Sequence, residues 1–309
     1  MTFYRFKTFR TSYYFPKVRK ETHFLYGLYN AFGGKLPRIY WWIFRHYVLI
    51  RILNSVKSEK MNFPYQQICD VEGCQSLMSF NLGTPGVEQK ISILGYDKNN
   101  TLQFFAKYSQ KPLAMELSQN EIHVLETLRD TGLVPQLYTK SITDDFVFFK
   151  TEYVKGTQRK TIELTNDVYG LLIQLSNFHL TQIEESSDGM KLSLAHGDFC
   201  PWNILFQKDE IRLIDWEMAK DRPLGYDLFT YIFQPSFLLK VDMPVNQVME
   251  YNIQYIKKYF IQLNCSDCLP YLKYFATCKM DEEIRKRNVL LSRKYSDLNG
   301  LLNITVNEI

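Results

Sequence analysis

Three apolar-rich runs in the first half of the chain follow the strand period. They are Leu77-Met-Ser-Phe80, Val87-Glu-Gln-Lys-Ile-Ser-Ile-Leu94 and Leu102-Gln-Phe-Phe-Ala-Lys107, and short runs of this kind bounded by turn residues predict strands. The bounding turns are Asn81-Leu-Gly-Thr-Pro-Gly86 and Gly95-Tyr-Asp-Lys-Asn-Asn100, rich in the glycine, proline and asparagine that punctuate structure. The period then changes. Glu121 to Arg129 places Ile122, Leu125 and Leu128 three apart, which predicts a helix with one buried face. Asn166 to Ile183 carries a second helical stripe, Val168, Leu171, Leu172, Leu175 and Phe178, with Asn166 as its cap. Between the two helices an apolar strand from Phe146 runs into Glu152-Tyr153-Val154 and then Gly156. Ile204-Leu-Phe206 and Ile211-Arg-Leu-Ile214 flank the polar turn Gln207-Lys-Asp-Glu210, which predicts a hairpin. From Tyr231 to Ile309 the pattern is mostly helical.

The densest chemistry lies around that hairpin, in Leu194-Ala-His-Gly-Asp-Phe-Cys-Pro-Trp-Asn-Ile-Leu-Phe and on to Ile214-Asp-Trp-Glu217. A hairpin centred near Asp209 sets Asn203 opposite Asp215, since both stand six residues from that centre. An amide and a carboxylate then meet at one end of a ribbon, with Asp198 just upstream on a loop. Such a group can hold a hard cation beside a proton acceptor. Magnesium takes few protein oxygens and shares its other positions with phosphate and water. The plainer reading is a hydrogen-bonded turn followed by an incidental acidic strand end.

His196-Gly-Asp-x-x-x-x-Asn203 followed by Asp215-Trp-Glu217 resembles the aminoglycoside phosphotransferase and choline kinase family, the small-molecule branch of the protein-kinase-like fold. The resemblance implies an α+β, bilobal architecture: a small antiparallel-sheet ATP lobe, then a larger, mainly helical lobe. The lobes it implies are an ATP-binding lobe over 61–152 and a catalytic and acceptor lobe over 153–309, and the basic, aromatic residues 1–60 read as an N-terminal extension to them. ATP and Mg2+ are the implied cofactors. Asp198 would accept or orient the proton of an attacking hydroxyl, as a carboxylate ionised at neutral pH can. Asn203 and Asp215 would hold magnesium. His196 would buttress the loop, and Glu217 would join a second metal or only orient the strand. Lys107 would pair the α- and β-phosphates, fixed by Glu121 fourteen residues later. Backbone at Glu152 and Val154 would meet the adenine edge, and Asp227 would anchor amides of the catalytic loop. For Lys107 and Glu121 the alternative is a pair of solvated surface charges.

The chain departs from protein kinases proper. Eleven residues separate Asp215 from Asp227, which leaves no room for a phosphorylatable activation loop. Gly83-Thr-Pro-Gly86 is not a Gly-x-Gly-x-x-Gly loop, and Pro85 lacks a backbone donor. An ordinary hairpin turn explains it equally well. Two function classes stay open: a phosphotransferase with an alcohol group as acceptor, and a catalytically idle kinase-like protein that binds a nucleotide or a partner.

Composition narrows the surroundings. Six cysteines among 309 residues, with no secretory signal and no long uncharged apolar run, predict a reduced, cytoplasmic protein. Cys265-Ser-Asp-Cys268 lacks a second ligand pair at zinc spacing and reads as ordinary thiols. Charge is uneven. Residues 1–60 hold twelve Lys/Arg and two acids, a balance of +10, so the remainder is −6 against a total of +4. Tyr4, Phe6 and Phe9 interleave with Arg5, Lys7 and Arg10, and Ile39-Tyr-Trp-Trp-Ile-Phe-Arg-His-Tyr-Val-Leu-Ile50 follows. This suits either a peripheral anchor on an anionic membrane, at its inner face, or an extension packed on the ATP lobe. No nucleic-acid recognition motif accompanies it. From Thr230 to Ile309 ten Lys/Arg stand against eight Asp/Glu. That balance disfavours a polycationic acceptor and leaves a small molecule or a glycan, including a lipid-linked sugar.

Overall fold

The structure, a computed structural model, describes residues 1–8, 11–17, 35–73, 76–97, 99, 101–159, 161–208 and 210–304. Phe9, Arg10, Asp209 and part of the 95–100 turn, all named above, lie outside the described residues. The chain forms two compact units, Met1–Val154 and Lys155–Ile309.

The first unit is built on an antiparallel sheet. Its strands are β1 (Thr2–Lys7), β2 (Ser12–Pro16), β3 (Ser55–Lys57), β4 (Leu77–Asn81), β5 (Ile91–Tyr96), β6 (Leu102–Ser109), β7 (Leu137–Ile142) and β8 (Val147–Glu152). The order across the sheet is β3-β1-β2-β4-β5-β6-β8-β7. Helices α1 (Lys35–His46), α2 (Val48–Leu53), α3 (Tyr65–Glu72) and α4 (Pro112–Thr127) complete it.

The described residues among the first sixty do not stand apart as an extension; they supply three of the eight strands. The reason lies in the alternation. In a strand, odd and even positions face opposite sides. Phe3 and Tyr14 join a cluster with Ile68 of α3, Phe80, Ile93 and Phe104. Phe6 and Phe15, of the other parity, join Trp41 and Phe44 of α1 and Tyr96. Each strand is thus apolar on both faces, and a helix covers each face. Fully burying one such phenylalanine contributes about 1.5–3 kcal/mol, so this stretch is core rather than appendage.

Element boundaries differ from the sequence pattern in informative ways. Strand β5 starts at Ile91, and Val87 is exposed. The preceding loop is instead held by Gln89, which donates to the Leu82 carbonyl within it, and by Lys111, just before α4, which donates to the Gly86 carbonyl. Gly83 sits at φ 66°, and a β-carbon there would lie 2.6 Å from the Lys90 carbonyl oxygen, so only glycine fits. Lys107 does not close β6, which continues to Ser109. Helix α4 begins nine residues before Glu121, with Pro112 in its first turn, a position that needs no N–H donor.

The second unit contains α5 (Asn166–Leu175), β9 (Leu192–Ala195), β10 (Ile204–Phe206), β11 (Ile211–Leu213), β12 (Lys220–Pro223), α6 (Tyr226–Leu239), α7 (Val245–Gln262), α8 (Leu269–Arg285) and α9 (Val289–Ile304). Strands β9 and β12 pair antiparallel, as do β10 and β11. Phe229 and Phe233 of α6 pack against Phe275 of α8, and Phe275 against Tyr295 of α9. Helix α5 is shorter than its stripe suggests, and Thr165 rather than Asn166 is the cap position. It stops because the Phe178 carbonyl is taken by the Leu194 N–H, and the Asp221 carboxylate captures the N–H groups of Leu180 and Thr181. Sheet first, helices after: the α+β architecture is as the resemblance implied.

Candidate active site

In the second unit, the loop after β9 is fixed before any ligand is considered. Gly197 has φ 86°, and a β-carbon there would lie 2.3 Å from the Met218 carbonyl oxygen. Glycine is required by both sterics and conformation. The loop backbone is pinned by Asp227, at the start of α6. One of its carboxylate oxygens accepts the His196 N–H at 2.6 Å and the other the Gly197 N–H at 3.1 Å. Burial outweighs these bonds and the nearby cations, so its pKa is raised. The His196 ring is fully buried, bonded through Nε2 to the Ile214 carbonyl at 3.0 Å and packed on Trp216 at 4.6 Å between centroids. Trp216 in turn donates to the Leu213 carbonyl at 2.9 Å. His196 is a brace in this geometry.

Asp198 is half-buried, with both oxygens engaged. Asn203 Nδ2 donates to Oδ2 at 2.9 Å and to the Asp198 carbonyl at 2.9 Å. Gln234 Nε2 donates to Oδ1 at 2.7 Å. The Cys200 thiol lies 3.6 Å from Oδ1, and burial, with Asp198 beside it, pushes that thiol well up. Behind Gln234 stands Lys279 of α8, only 5% exposed, its Nζ 3.3 Å from Gln234 Oε1 and 3.4 Å from Glu282. Gln234 and Lys279 were missed in the sequence. Gln234 follows Asp227 by seven residues on α6, two turns along one helical face. Lys279 carries no local signal at all.

The hairpin register differs by one from the sequence expectation. Ile204 pairs with Leu213 and Phe206 with Ile211, and the Ile214 N–H donates to the Asn203 carbonyl at 3.0 Å. Asn203 thus faces Ile214. The turn closes from Gln207 N–H to the Glu210 carbonyl, which moves its centre half a residue toward the N-terminus. Asp215 follows directly and leaves the ladder in the left-handed region at φ 70°. That conformation is uncommon for a non-glycine residue and points to a functional constraint. One oxygen of Asp215 and one of Glu217 lie within 4.8 Å of each other.

The donor set suits a hard cation. Asn203 commits its amide nitrogen to Asp198, so the amide oxygen is the atom it can offer, and Asp215 adds a carboxylate. Oxygen donors in this number are what magnesium takes from a protein.

In the first unit, β6 places alternate residues on opposite faces. Phe104, Ala106 and Tyr108 join the cluster under α3, while Lys107 and Ser109 face α4. Ser109 and Ser118 share a hydrogen bond at 2.7 Å, and one turn further along α4 Glu121 Oε2 meets Lys107 Nζ at 2.7 Å. Their side chains are 8% and 6% exposed, which rules out the reading as solvated surface charges. Glu152 ends β8, paired with Phe104. Its N–H donates to the Gln136 carbonyl and its carboxylate accepts the Gln136 N–H, both at 2.9 Å. Val154, half-buried, lies beyond the strand.

Comparison with known proteins finds one family match over part of the chain. Residues 172–263 match the model of the phosphotransferase enzyme family. This segment holds Asp198, Asn203, Asp215 and Asp227. Among solved structures the chain is similar to a streptomycin–ATP–APH(2″)-IIa ternary complex, at 14% identity over 56% of this chain and 76% of that one, TM-score 0.42. It is also similar to the amicoumacin kinase hAmiN in complex with AMP-PNP, Ca2+ and Ami, at 13% identity over 70% and 84%, TM-score 0.44. An aminoglycoside-3′-phosphotransferase of type VIII matches at 17% identity over 45% and 70%, TM-score 0.34. No curated protein sequence matches the chain. The matched segment, under a third of the chain, contains the loop from His196 to Asn203 and is similar to the phosphotransferase enzyme family. The resemblance to the aminoglycoside phosphotransferase and choline kinase family rests on this segment.

Proposed function

We propose that the chain transfers the γ-phosphoryl group of ATP, with magnesium, to a hydroxyl of a small molecule or glycan. The observation that carries this reading is the clamped Asp198 carboxylate on a loop whose backbone is pinned by Asp227. The acceptor oxygen attacks the γ-phosphorus, the bond to the β-phosphate oxygen breaks, ADP leaves, and the hydroxyl proton passes to Asp198. Each carboxylate oxygen has two lone pairs; Oδ1 receives Gln234 and the Cys200 thiol, while Oδ2 receives Asn203 and keeps acceptor capacity for that proton. Asn203 and Asp215 are the residues that would hold magnesium, which when bound neutralises charge on the phosphates. Lys107, oriented by Glu121, pairs the α- and β-phosphates. Backbone from Glu152 to Val154 serves the adenine edge. Since the Glu152 N–H already bonds Gln136, Val154 is the better donor of the two. A lipid-linked sugar is the acceptor that the +10 balance of residues 1–60 favours.

The second reading, an idle nucleotide-binding protein, draws on the engagement of both Asp198 oxygens in the structure. Asp198→Asn separates the two. The phosphotransferase reading expects nucleotide binding within about twofold of wild type and loss of most turnover, roughly 10²–10⁴-fold for a positioned acid–base group. Turnover that survives Asp198→Asn intact refutes the catalytic role. A screen of sugars, glycolipids, choline and aminoglycosides as acceptors identifies the substrate.

A further inference from the structure

Helices α1 and α2 expose an apolar face that their packing on the sheet leaves uncovered. On α1, Trp41 and Phe44 are buried against Phe6 and Phe15. The opposite side presents Leu36, Ile39 and Trp42, three residues apart and all exposed. On α2, Val48 and Ile52, and Leu49 and Leu53, are two i, i+4 pairs on one side, and all four are exposed. Leu49 and Leu53 are 67% and 72% exposed. Of the twenty-four exposed large apolar side chains among the described residues, nine fall between Leu36 and Leu53. Scattered apolar residues on a surface mean little, but this concentration on two consecutive helices points to an interaction site.

The corner between the helices is rigid. Buried Arg51 donates to the carbonyls of Phe44 and Arg45 at the end of α1, and its guanidinium lies 5.9 Å from the Tyr4 ring. Its charge is spent inside the unit. Among the described side chains, exposed Arg38 and half-buried Arg45 are seven residues apart and hence on one side of α1. No Asp or Glu occurs between Glu21 and Glu59. Trp42 packs on His46 and Tyr47 at 4.9 and 5.9 Å, so aromatic rings sit where apolar and cationic groups meet. That combination is what interfacial helices present to anionic lipid. Among the described residues no helix is long and apolar enough to cross a membrane, so contact would be in the plane of the surface.

We propose that α1 and α2 together form the docking face of this protein for an anionic lipid surface, with Trp42, Leu49 and Leu53 entering the interface and Arg38 and Arg45 at headgroup level. This does not depend on the catalytic reading. The test is sedimentation of the full-length chain with phosphatidylcholine vesicles and with vesicles containing phosphatidylglycerol, at low and physiological salt. The full-length chain binds the anionic vesicles, and salt weakens the binding as screening shortens the reach to about 8 Å. Leu49→Asp with Leu53→Asp abolishes it. Arg38→Gln with Arg45→Gln lowers affinity roughly thirtyfold, from about 1 kcal/mol per basic residue. Trp42→Gln gives an independent reading if the leucine pair affects folding. The proposal is overturned if the chain ignores anionic vesicles at low salt, or if the leucine pair and Trp42→Gln all leave binding unchanged. It is also overturned if Leu49→Asp with Leu53→Asp turns a dimer into a monomer and no vesicle binding is seen, since a second copy then covers the face. Asp198→Asn binds vesicles like wild type, which keeps this outcome separate from the catalytic one.

Discussion

Asp227→Asn sets two effects of similar size against each other, and pH decides between them. Asp227 is 6% exposed, and its two oxygens accept separate backbone N–H groups, at 2.6 and 3.1 Å. Asparagine has one oxygen, so its amide nitrogen must face the other N–H, donor against donor. Losing one bond to a charged acceptor and orphaning a buried N–H costs about 2–5 kcal/mol together. Removing a buried charge relieves a desolvation penalty that is itself several kcal/mol. The net change at neutral pH should therefore be small, about 1–2 kcal/mol, or a Tm shift of ~2–8 °C for a domain of this size. The pH dependence is sharper. Burial raises the pKa of Asp227 above its ordinary value of 3.8. Its contribution to stability is then fully present below about pH 4 and is lost as pH rises through the folded value, because the folded state must then hold a buried charge. The difference in Tm, wild type minus variant, should fall as pH rises through that window, measured by scanning calorimetry on both proteins. A difference that grows with pH would show that the two amide bonds outweigh burial. The loop is mispositioned in the variant, so kcat should drop at every pH; an unchanged kcat refutes the claim that Asp227 holds the catalytic loop.

Two further outcomes follow from the clamps around the site. Lys107→Met or Glu121→Leu alone breaks a buried pair and should cost about 3–5 kcal/mol, while Lys107→Met with Glu121→Leu should recover most of that stability and remain inactive, as read by calorimetry and phosphotransfer; a double variant as unstable as the sum of the singles refutes the coupling. Gln234→Ala removes a bond of about 1.5–3 kcal/mol to the Asp198 carboxylate, so kcat should fall about 10- to 100-fold with KM and nucleotide affinity little changed, and an effect confined to KM would place Gln234 in acceptor binding instead.

Much of each candidate cluster, one in either unit, was legible because its parts are close in sequence. Asp198, Asn203 and Asp215 lie within eighteen residues, and a hairpin brings them together by local pairing alone. Lys107 and Glu121 are fourteen residues apart, joined by one strand-to-helix turn. Periodicity located β4, β6 and β8 to within two residues, because alternation over a half-buried strand is a strong pattern. It missed the start of α4, whose first two turns mix polar and apolar residues. It also misplaced the start of β5, where Val87-Glu-Gln-Lys90 reads as alternating yet belongs to a loop held by Gln89 and Lys111.

What could not be read is what depends on long-range packing. The aromatic N-terminus resembled an interfacial extension because both of its faces are apolar, a property shared by a membrane anchor and a central strand. Only the pairing of β2 with β4, across more than sixty residues of chain, distinguishes them for β1 and β2. The same ambiguity resolves the other way for α1 and α2: Trp41 and Phe44 are buried on the sheet, while their neighbours Trp42 and Leu49 stay in solvent. One continuous basic and aromatic stretch therefore divides into core and surface, and composition alone cannot draw that line. Gln234 and Lys279 follow the same logic. Gln234 reaches Asp198 from 36 residues downstream, and Lys279 reaches Gln234 from further on, so their role appears only once α6 and α8 are packed behind the loop.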